Sequence, residues 1–442
     1  MSPANRIRQA GFSMIDQACA VGGMFLVNVM LARTQSKADY GLFALSYSIY
    51  TFLAGMHNAA LLEPFTVYGS GRYFERFTQY NAKVWGSNAR LVAGITCVSL
   101  TIWLLLRILK APLASGALLG MGLSCGVPLT ASLVRQSFYV PRKPALAARF
   151  SCVFFVALLV LLAAAVRTHW LTSFSAFPLV AAAWMAAGIS VYSHLPGKLQ
   201  PGPESNFGPA YWSLHWKYAR WVIATALVFQ LTNQAYYWLV AGFLSLKEVA
   251  DLRAIYILVT PVDQIFIALG FLVLPALSHR FSAGLLDRFR ALRKKYMALS
   301  IAVTLSFALI VRFLGSMGLH ALYGGKFDSI APLLILLAFL PVIMSIGNTI
   351  NLALKAIEQP QCVLYGYISS GIATFAVGMP LVRHFGLRGA VYGLLLSASA
   401  YTLAVALSWL IVSPRHGFVS GSTASLRTPL PSAANEPEVL AE

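Results

Sequence analysis

Apolar residues fall into long runs separated by short polar turns along almost the whole chain. Predominantly hydrophobic stretches cover approximately 10–32, 40–69, 91–109, 114–136, 146–166 and 174–193. After a gap they resume at 219–243, 252–278, 298–316, 330–354, 363–382 and 389–412. Runs of about 20 residues cross the roughly 30 Å hydrocarbon layer of a bilayer as helices. Strands of a membrane barrel would instead alternate apolar and polar positions in segments of about ten residues. The pattern predicts an all-α integral membrane protein of about twelve transmembrane helices. An even number of spans returns both termini to the same side.

The gap between spans six and seven, His194-Leu-Pro-Gly-Lys-Leu-Gln-Pro-Gly-Pro-Glu204, is dense in Pro and Gly and marks a linker. It divides the chain into an N-terminal six-helix bundle (1–193), a linker with an interfacial segment (194–218), a C-terminal six-helix bundle (219–412) and a tail (413–442). The tail's Ser, Pro, Ala and Glu predict disorder. Trp212, Trp216, Tyr218 and Trp221, interleaved with Lys217 and Arg220, suit the headgroup layer. A second interfacial segment, 285–296, carries apolar residues at helical spacing and basic residues on its other face. The halves repeat weakly. Leu61-Leu-Glu-Pro64 matches Leu272-Val-Leu-Pro275, and Arg142-Lys-Pro144 matches Glu358-Gln-Pro360 at a similar offset. Such a layout fits parallel repeats with a binding site between them.

Composition narrows the picture. Of 442 residues, 58% are apolar and 11% charged; a soluble domain carries about 25% charged residues. The net charge of +19 could point to nucleic acid, but the basic residues are dispersed between apolar runs. Roughly two-thirds of them fall on the side of the termini, which the positive-inside rule places in the cytoplasm. Arg6 and Arg8 precede an apolar stretch that continues to Leu31 with no small-residue cleavage site, so a retained first helix is expected. The five cysteines show neither metal-ligand nor redox spacing. No phosphate-binding G-x-x-x-x-G-K-[ST] loop is present, and no catalytic constellation emerges, so no enzyme is expected.

Ionised groups inside hydrocarbon cost at least about 2.5–3.5 kcal/mol and therefore mark cavities or partners. Asp16, Glu63 and Asp263 lie within predicted spans. Arg253, Tyr256, Thr260, Asp263 and Gln264 share one face of span eight, beside Pro261, which removes a backbone hydrogen bond and can kink the helix. Gln230, Asn233, Gln234 and Tyr237 form a comparable stripe on span seven. Span one adds Ser13 and Gln17, span two His57 and Asn58, and span ten Ser345, Asn348, Asn351 and Lys355. The plainer role for such amides is packing between helices, and Glu63 at headgroup level is a candidate partner of Arg72. Asp263, at mid-span, is the leading candidate for a proton or cation site or for the wall of a substrate cavity.

Leu31-Ala-Arg33, Asp39-Tyr-Gly-Leu-Phe-Ala-Leu45 and Leu61-Leu-Glu-Pro-Phe-Thr-Val-Tyr-Gly69 resemble the Wzx-like polysaccharide-exporter branch of the MOP flippase superfamily, related to MATE drug exporters and lipid II flippases. The resemblance covers residues 1 to about 412 in layout. It implies a V-shaped, MATE-like pair of six-helix bundles in the bacterial inner membrane, with a cavity lined by spans one, two, seven and eight. It further implies alternating-access transport of an undecaprenyl-diphosphate-linked oligosaccharide from the cytoplasmic to the periplasmic leaflet. No cofactor is implied; coupling to H+ or Na+ is. Membrane lipids and polysaccharide polymerase or export machinery are the expected partners, and nucleic acid is not. The pathway set is Asp263, Gln264, Arg253, Thr260, Gln230, Asn233, Gln234, Asp16, Asn58 and Glu63. Unlike lipid II flippases, this chain has no mid-depth arginine in spans one and two, so Arg72, Arg135 and Lys355 are the candidate phosphate contacts at the rim. The alternatives are a MATE-like small-molecule antiporter and a membrane glycan polymerase or ligase; the latter would carry a larger periplasmic loop.

Overall fold

The computed structural model describes residues 3–70, 73–110, 115–196, 210–357, 359 and 361–416, and for Asp263, Gln264 and a few other helical positions it describes the backbone alone. Arg72, the Pro/Gly-rich linker from 197 to 209 and the tail from 417 lie outside the described residues. The described chain is helices and turns, with no strand among the described residues.

The N-terminal half contains α1 (Pro3–Thr34), α2 (Lys37–His57, then a wide π turn Asn58–Leu62, then Glu63–Ser70) and α3 (Phe77–Ile108). It continues with α4 (Gly116–Ser124 and Gly126–Tyr139), α5 (Pro144–Arg167) and α6 (Ala176–Val191). The C-terminal half begins with α7 (Ala210–Phe243), α8 (Leu246–Ser282), α9 (Leu286–Tyr323) and α10 (Ala331–Leu337 and Leu340–Ala356). From Gln361 to Val412 the chain is nearly all helical but turns back at Gly386, whose φ of 59° and ψ of −137° suit glycine alone. That break separates α11 (361–385) from α12 (387–412).

Eight helical stretches are long and apolar enough to cross a membrane, and one of these, Gln361–Val412, holds both α11 and α12. The three helices outside that set are α2, α7 and α8. They carry the polar stripes, and they make the most extensive contacts between the halves. The chain is a multi-pass membrane protein, and its count of about twelve helices is as the hydrophobic runs predict.

Each half packs in the same pattern. α1 lies on α5 and α7 lies on α11; α2, α3 and α6 contact α4 as α8, α9 and α12 contact α10. The expected interfacial segment at 210–218 is the start of α7, continuous with its span. Ser413–His416 adds a short 3-10 turn beyond α12. Pro261 leaves α8 helical throughout, because a membrane helix can re-satisfy a freed carbonyl locally.

We call the side holding the 70–77 and 139–144 turns the terminal face, and the opposite side the far face. Far-face turns are short and capped. Ser36 Oγ accepts the Asp39 N–H at 3.1 Å, Ser115 Oγ that of Leu118 at 3.3 Å, and Ser245 Oγ that of Lys247 at 3.2 Å. Each satisfies an otherwise orphaned helix donor.

Candidate functional site

The seam between the halves is built on α2 and α7, which run antiparallel. Trp238 Nε1 donates to Ser48 Oγ at 3.0 Å, Gln230 packs on Gly55, Tyr218 donates to Glu63 Oε1 at 3.2 Å, and Tyr68 donates to the Leu214 carbonyl at 3.3 Å. At the far end Gly41 lies directly against the backbone carbonyl of Leu246, where a Cβ would collide with main chain. Only glycine allows α2 and α8 to start in contact.

Arg253 occupies the far end of this seam. Its residue is 8% exposed, Nε donates to Asn28 Oδ1 at 2.9 Å, and Nη1 donates to the Tyr237 hydroxyl at 3.4 Å. The guanidinium lies 4.6 Å from the Tyr47 ring centre and 5.9 Å from that of Tyr237. Tyr40 also donates to Asn28 Oδ1, at 3.3 Å. A buried cation is thus held by a neutral amide and the negative faces of aromatic rings, and among the described residues no carboxylate pairs with it.

Two lysines reinforce the same end. Lys37 Nζ pairs with Asp251 Oδ1 at 2.8 Å and sits 4.8 Å from the centre of the Phe327 ring. Lys326, before α10, donates to the carbonyls of Ala32 (3.0 Å) and Gln35 at the end of α1, where a cation meets the negative end of the helix dipole. Burial pushes the Asp251 carboxyl above its usual range against the pull of Lys37. Burial and the nearby charge of Lys37 push Lys326 down.

Asp16 belongs to a different place. It is fully buried inside the N-terminal half, and every contact is a donor. Arg135 Nε reaches its oxygens at 3.0 and 3.2 Å and Nη2 at 2.5 Å; the hydroxyls of Tyr139 and Ser151 follow at 2.6 and 2.5 Å. A carboxylate offers about four lone-pair sites, and these are filled. Beside it lies a cavity of about 180 Å³ lined by Gln17, His57, Asn58, Ser132, Arg135, Gln136 and Tyr139. His57 Nε2 bonds to Asn88 Oδ1 at 2.8 Å, and Asn88 Nδ2 donates to Thr130 at 3.2 Å.

The expected pathway residues therefore separate into groups. Arg253, Gln230 and Glu63 lie on the seam, and the exposed Lys355 is within electrostatic reach of Glu63. Asn233 and Thr260 bond to the carbonyls of Phe229 and Tyr256 on their own helices, at 2.8 and 3.2 Å; Gln234 is half-buried. Asn58, in the π turn, lines the N-terminal cavity, and Asp16 is buried behind its Arg135 and Tyr139. Arg135, expected as a rim phosphate contact, pairs with the fully buried Asp16, which demands a counter-charge, and also lines the adjoining cavity. Asn351 donates to the Tyr401 hydroxyl at 2.9 Å and packs the C-terminal half. The side chains of Asp263 and Gln264, and the whole of Arg72, lie outside the described residues. Asn28, Lys37, Asp251 and Lys326 escaped the sequence reading. An amide within span one was the visible signal for Asn28; the other three looked like ordinary turn charges. No cluster of metal-ligating side chains occurs among the described residues, and the five cysteines are free.

Burial, followed by the charge of Glu63, pushes the Tyr218 phenol up to about 12, so it donates as a neutral hydroxyl.

No family model matches the chain, and no curated protein matches it either. Solved structures do. An inward-facing multidrug resistance MATE family transporter of the MOP superfamily aligns with a TM-score of 0.77 at 10% identity, covering 93% of this chain and 100% of its own. The outward-facing form of such a transporter aligns at 0.66 and 12%, covering 93% and 96%. A MOP superfamily transporter from Pyrococcus furiosus, described as having reversed binding-pocket polarity, aligns at 0.66 and 11%, covering 93% and 95%. The fold is the V-shaped, two-lobed helical fold of MATE transporters.

Proposed function

We propose that this chain is a transporter that works by alternating access, rocking its two six-helix halves about the α2–α7 seam. The observation that carries this reading is the polar seam itself. Three helices with polar stripes meet between two similarly packed bundles and are tied at one end by Lys37–Asp251 and Arg253–Asn28. The MATE-like fold supports it. With the termini in the cytoplasm of an inner-membrane protein, as the distribution of basic residues favours, the tied end is periplasmic.

For the cargo, the reading is an undecaprenyl-diphosphate-linked oligosaccharide, moved to the periplasmic leaflet for surface or exopolysaccharide assembly. It rests on the resemblance of residues 31–69 to Wzx-like exporters. Arg253, with no carboxylate partner among the described residues, favours an anionic headgroup, since guanidinium grips phosphate bidentately. Polymerase or export machinery would be its partner. A second reading, a small-molecule antiporter, is favoured by the multidrug transporters among the structural neighbours. Coupling to H+ or Na+ through Asp263 is compatible with either; Asp16, with its acceptor sites filled, is the weaker candidate.

A deletion strain decides between them. Lipid-linked oligosaccharide accumulating on the cytoplasmic leaflet supports the flippase. Normal glycan with increased sensitivity to a cationic dye supports the antiporter.

A further inference from the structure

Away from the seam, the start of α9 concentrates positive charge in a way that its counterpart in the other half does not. Residues 286–297 hold Arg288, Arg290, Arg293, Lys294 and Lys295 against one acid, Asp287, and Asp287 is taken by Arg290 at 3.1 Å. The matching stretch of α3, 77–90, holds only Lys83 and Arg90. Arg293 is the unusual member. Its guanidinium lies 4.5 Å from the centre of the Trp409 ring on α12, and that ring is stacked parallel to Phe289 with 6.3 Å between centres. The Arg293 Nε is buried with no hydrogen-bond partner among the described residues, and no carboxylate among them pairs with it. Arg90, by contrast, is exposed and donates its Nε to the Gly86 carbonyl of its own helix at 3.3 Å. A buried, charged donor left open calls for an acceptor.

We propose that Arg293, held over Trp409 with Lys294 and Lys295 beside it in sequence, binds the phosphodiester headgroup of an anionic membrane lipid. Depth favours a lipid. Residues 298–316 of α9, at about 1.5 Å of rise each, fill roughly 28 Å, close to the roughly 30 Å hydrocarbon core. Arg293 precedes that run by five residues, which puts it about 7.5 Å outside the core, within a headgroup layer about 5–8 Å deep. Trp409 lies in the last turn of α12, where an amphipathic ring settles at the same level. Leu299, one turn beyond Lys295 on the same face, is 49% exposed and offers apolar surface to acyl chains. Charge favours an anionic lipid, because adjacent cations at headgroup depth attract acidic headgroups over zwitterionic ones. Stacking on the ring fixes the plane of the guanidinium and leaves its fork for paired hydrogen bonds to phosphate oxygens. The ligand is the bilayer's own lipid and not the transported cargo, because the site stands on α9 and α12 while the seam stands on α2, α7 and α8. It is therefore independent of both the cargo and the alternation of the halves.

Thermal unfolding of purified full-length protein in an uncharged detergent tests this, with phosphatidylglycerol or phosphatidylcholine titrated in. A ligand that binds only the folded state raises the unfolding midpoint with its concentration. Phosphatidylglycerol should raise the midpoint of the parent at lower concentration than phosphatidylcholine does. Arg293→Gln should move the phosphatidylglycerol curve about tenfold to higher concentration, the scale of one lost charge-assisted fork. Its lipid-free midpoint should change little, since Arg293 has no polar partner to strand. Arg293→Lys keeps the charge without the fork and should move the curve by about threefold; it carries the test if the glutamine variant does not fold. Arg90→Gln, at the matching place in the other half, should leave the curve where it is. The proposal is overturned if the Arg293 variants respond to phosphatidylglycerol as the parent does, or if Arg90→Gln moves the curve as far. It is equally overturned if phosphatidylcholine is as effective as phosphatidylglycerol, or if inorganic phosphate at the same concentrations reproduces the rise, which would make the ligand a soluble anion.

Discussion

Two arginines in this protein, Arg135 half-buried and Arg253 buried, have opposite surroundings. Arg135 faces a fully buried carboxylate, Asp16, whose oxygens also take the Tyr139 and Ser151 hydroxyls, all within one half. Arg253 faces an amide and aromatic rings drawn from both halves, with no acid among the described residues. The first arrangement is complete: each charge satisfies the other, and opening it would strand an ion in a low-dielectric interior. The second is incomplete, with a positive charge held by neutral groups that separate if the halves part. A saturated pair belongs to the scaffold, and an unsaturated cation on a seam is available to work.

The largest expected effect comes from breaking the saturated pair. Arg135→Ala leaves Asp16 buried without its cation and should cost about 3–5 kcal/mol of stability, read as a lowered unfolding temperature in detergent. Asp16→Asn combined with Arg135→Gln should recover most of that loss. If the single variant is as stable as the parent, the pair is not the internal counter-charge described here.

Next is the far end of the seam. Gly41→Val drives side-chain atoms into the Leu246 carbonyl, and overpacking of this kind costs about 1–3 kcal/mol. Here the cost falls on the far-closed state, so the variant should shift toward far-face opening more than it loses overall stability. Solvent labelling of a cysteine at far-face position 250 or 254, both buried now, checks it. At Arg253 the change to Lys keeps the charge but loses the planar fork and most of the ring stacking. Transport should fall about tenfold, the loss expected for roughly 1.4 kcal/mol, with little change in unfolding temperature. Arg135→Lys should show the reverse balance, losing stability before transport.

The smallest effect is a pH dependence at the start of α7. His215 Nε2 meets the Tyr80 hydroxyl at 2.8 Å, and burial pushes the imidazole down to about 4. A base whose folded pKa lies below its unfolded value of 6.5 is most stabilising, as the neutral form, above that value. The contribution fades as pH falls from 6.5 toward 4. Protection of the first turns of α7 in hydrogen exchange should decline over that window, and His215→Gln should flatten the decline.

Run length alone made the twelve-helix layout legible, because a bilayer leaves a chain few other solutions. The three helices of the seam were legible too, through the stripes of polar residues they carry. Partners were not. Asp16 and Arg135 are 119 positions apart, and nothing local distinguishes an arginine that turns inward on an acid from one that reaches for headgroups. Arg253 stood out by its spacing on α8, but its acid-free cage of Asn28, Tyr47 and Tyr237 depends on how α1, α2 and α7 assemble. Lys37, Asp251 and Lys326 sit in or beside turns, where charge is ordinary. Only the folded seam gives them partners on the opposite half.

Carriage of a lipid-linked, anionic cargo between alternating halves is open to a direct assay. The most direct test places purified protein in vesicles whose undecaprenyl-diphosphate-linked oligosaccharide carries a fluorescent sugar, with an impermeant quencher outside. That lipid should move between leaflets faster than in protein-free vesicles, with the acceleration lost in Arg253→Ala. Movement no faster than in protein-free vesicles, from protein that is folded and exports a small cationic dye, would contradict it.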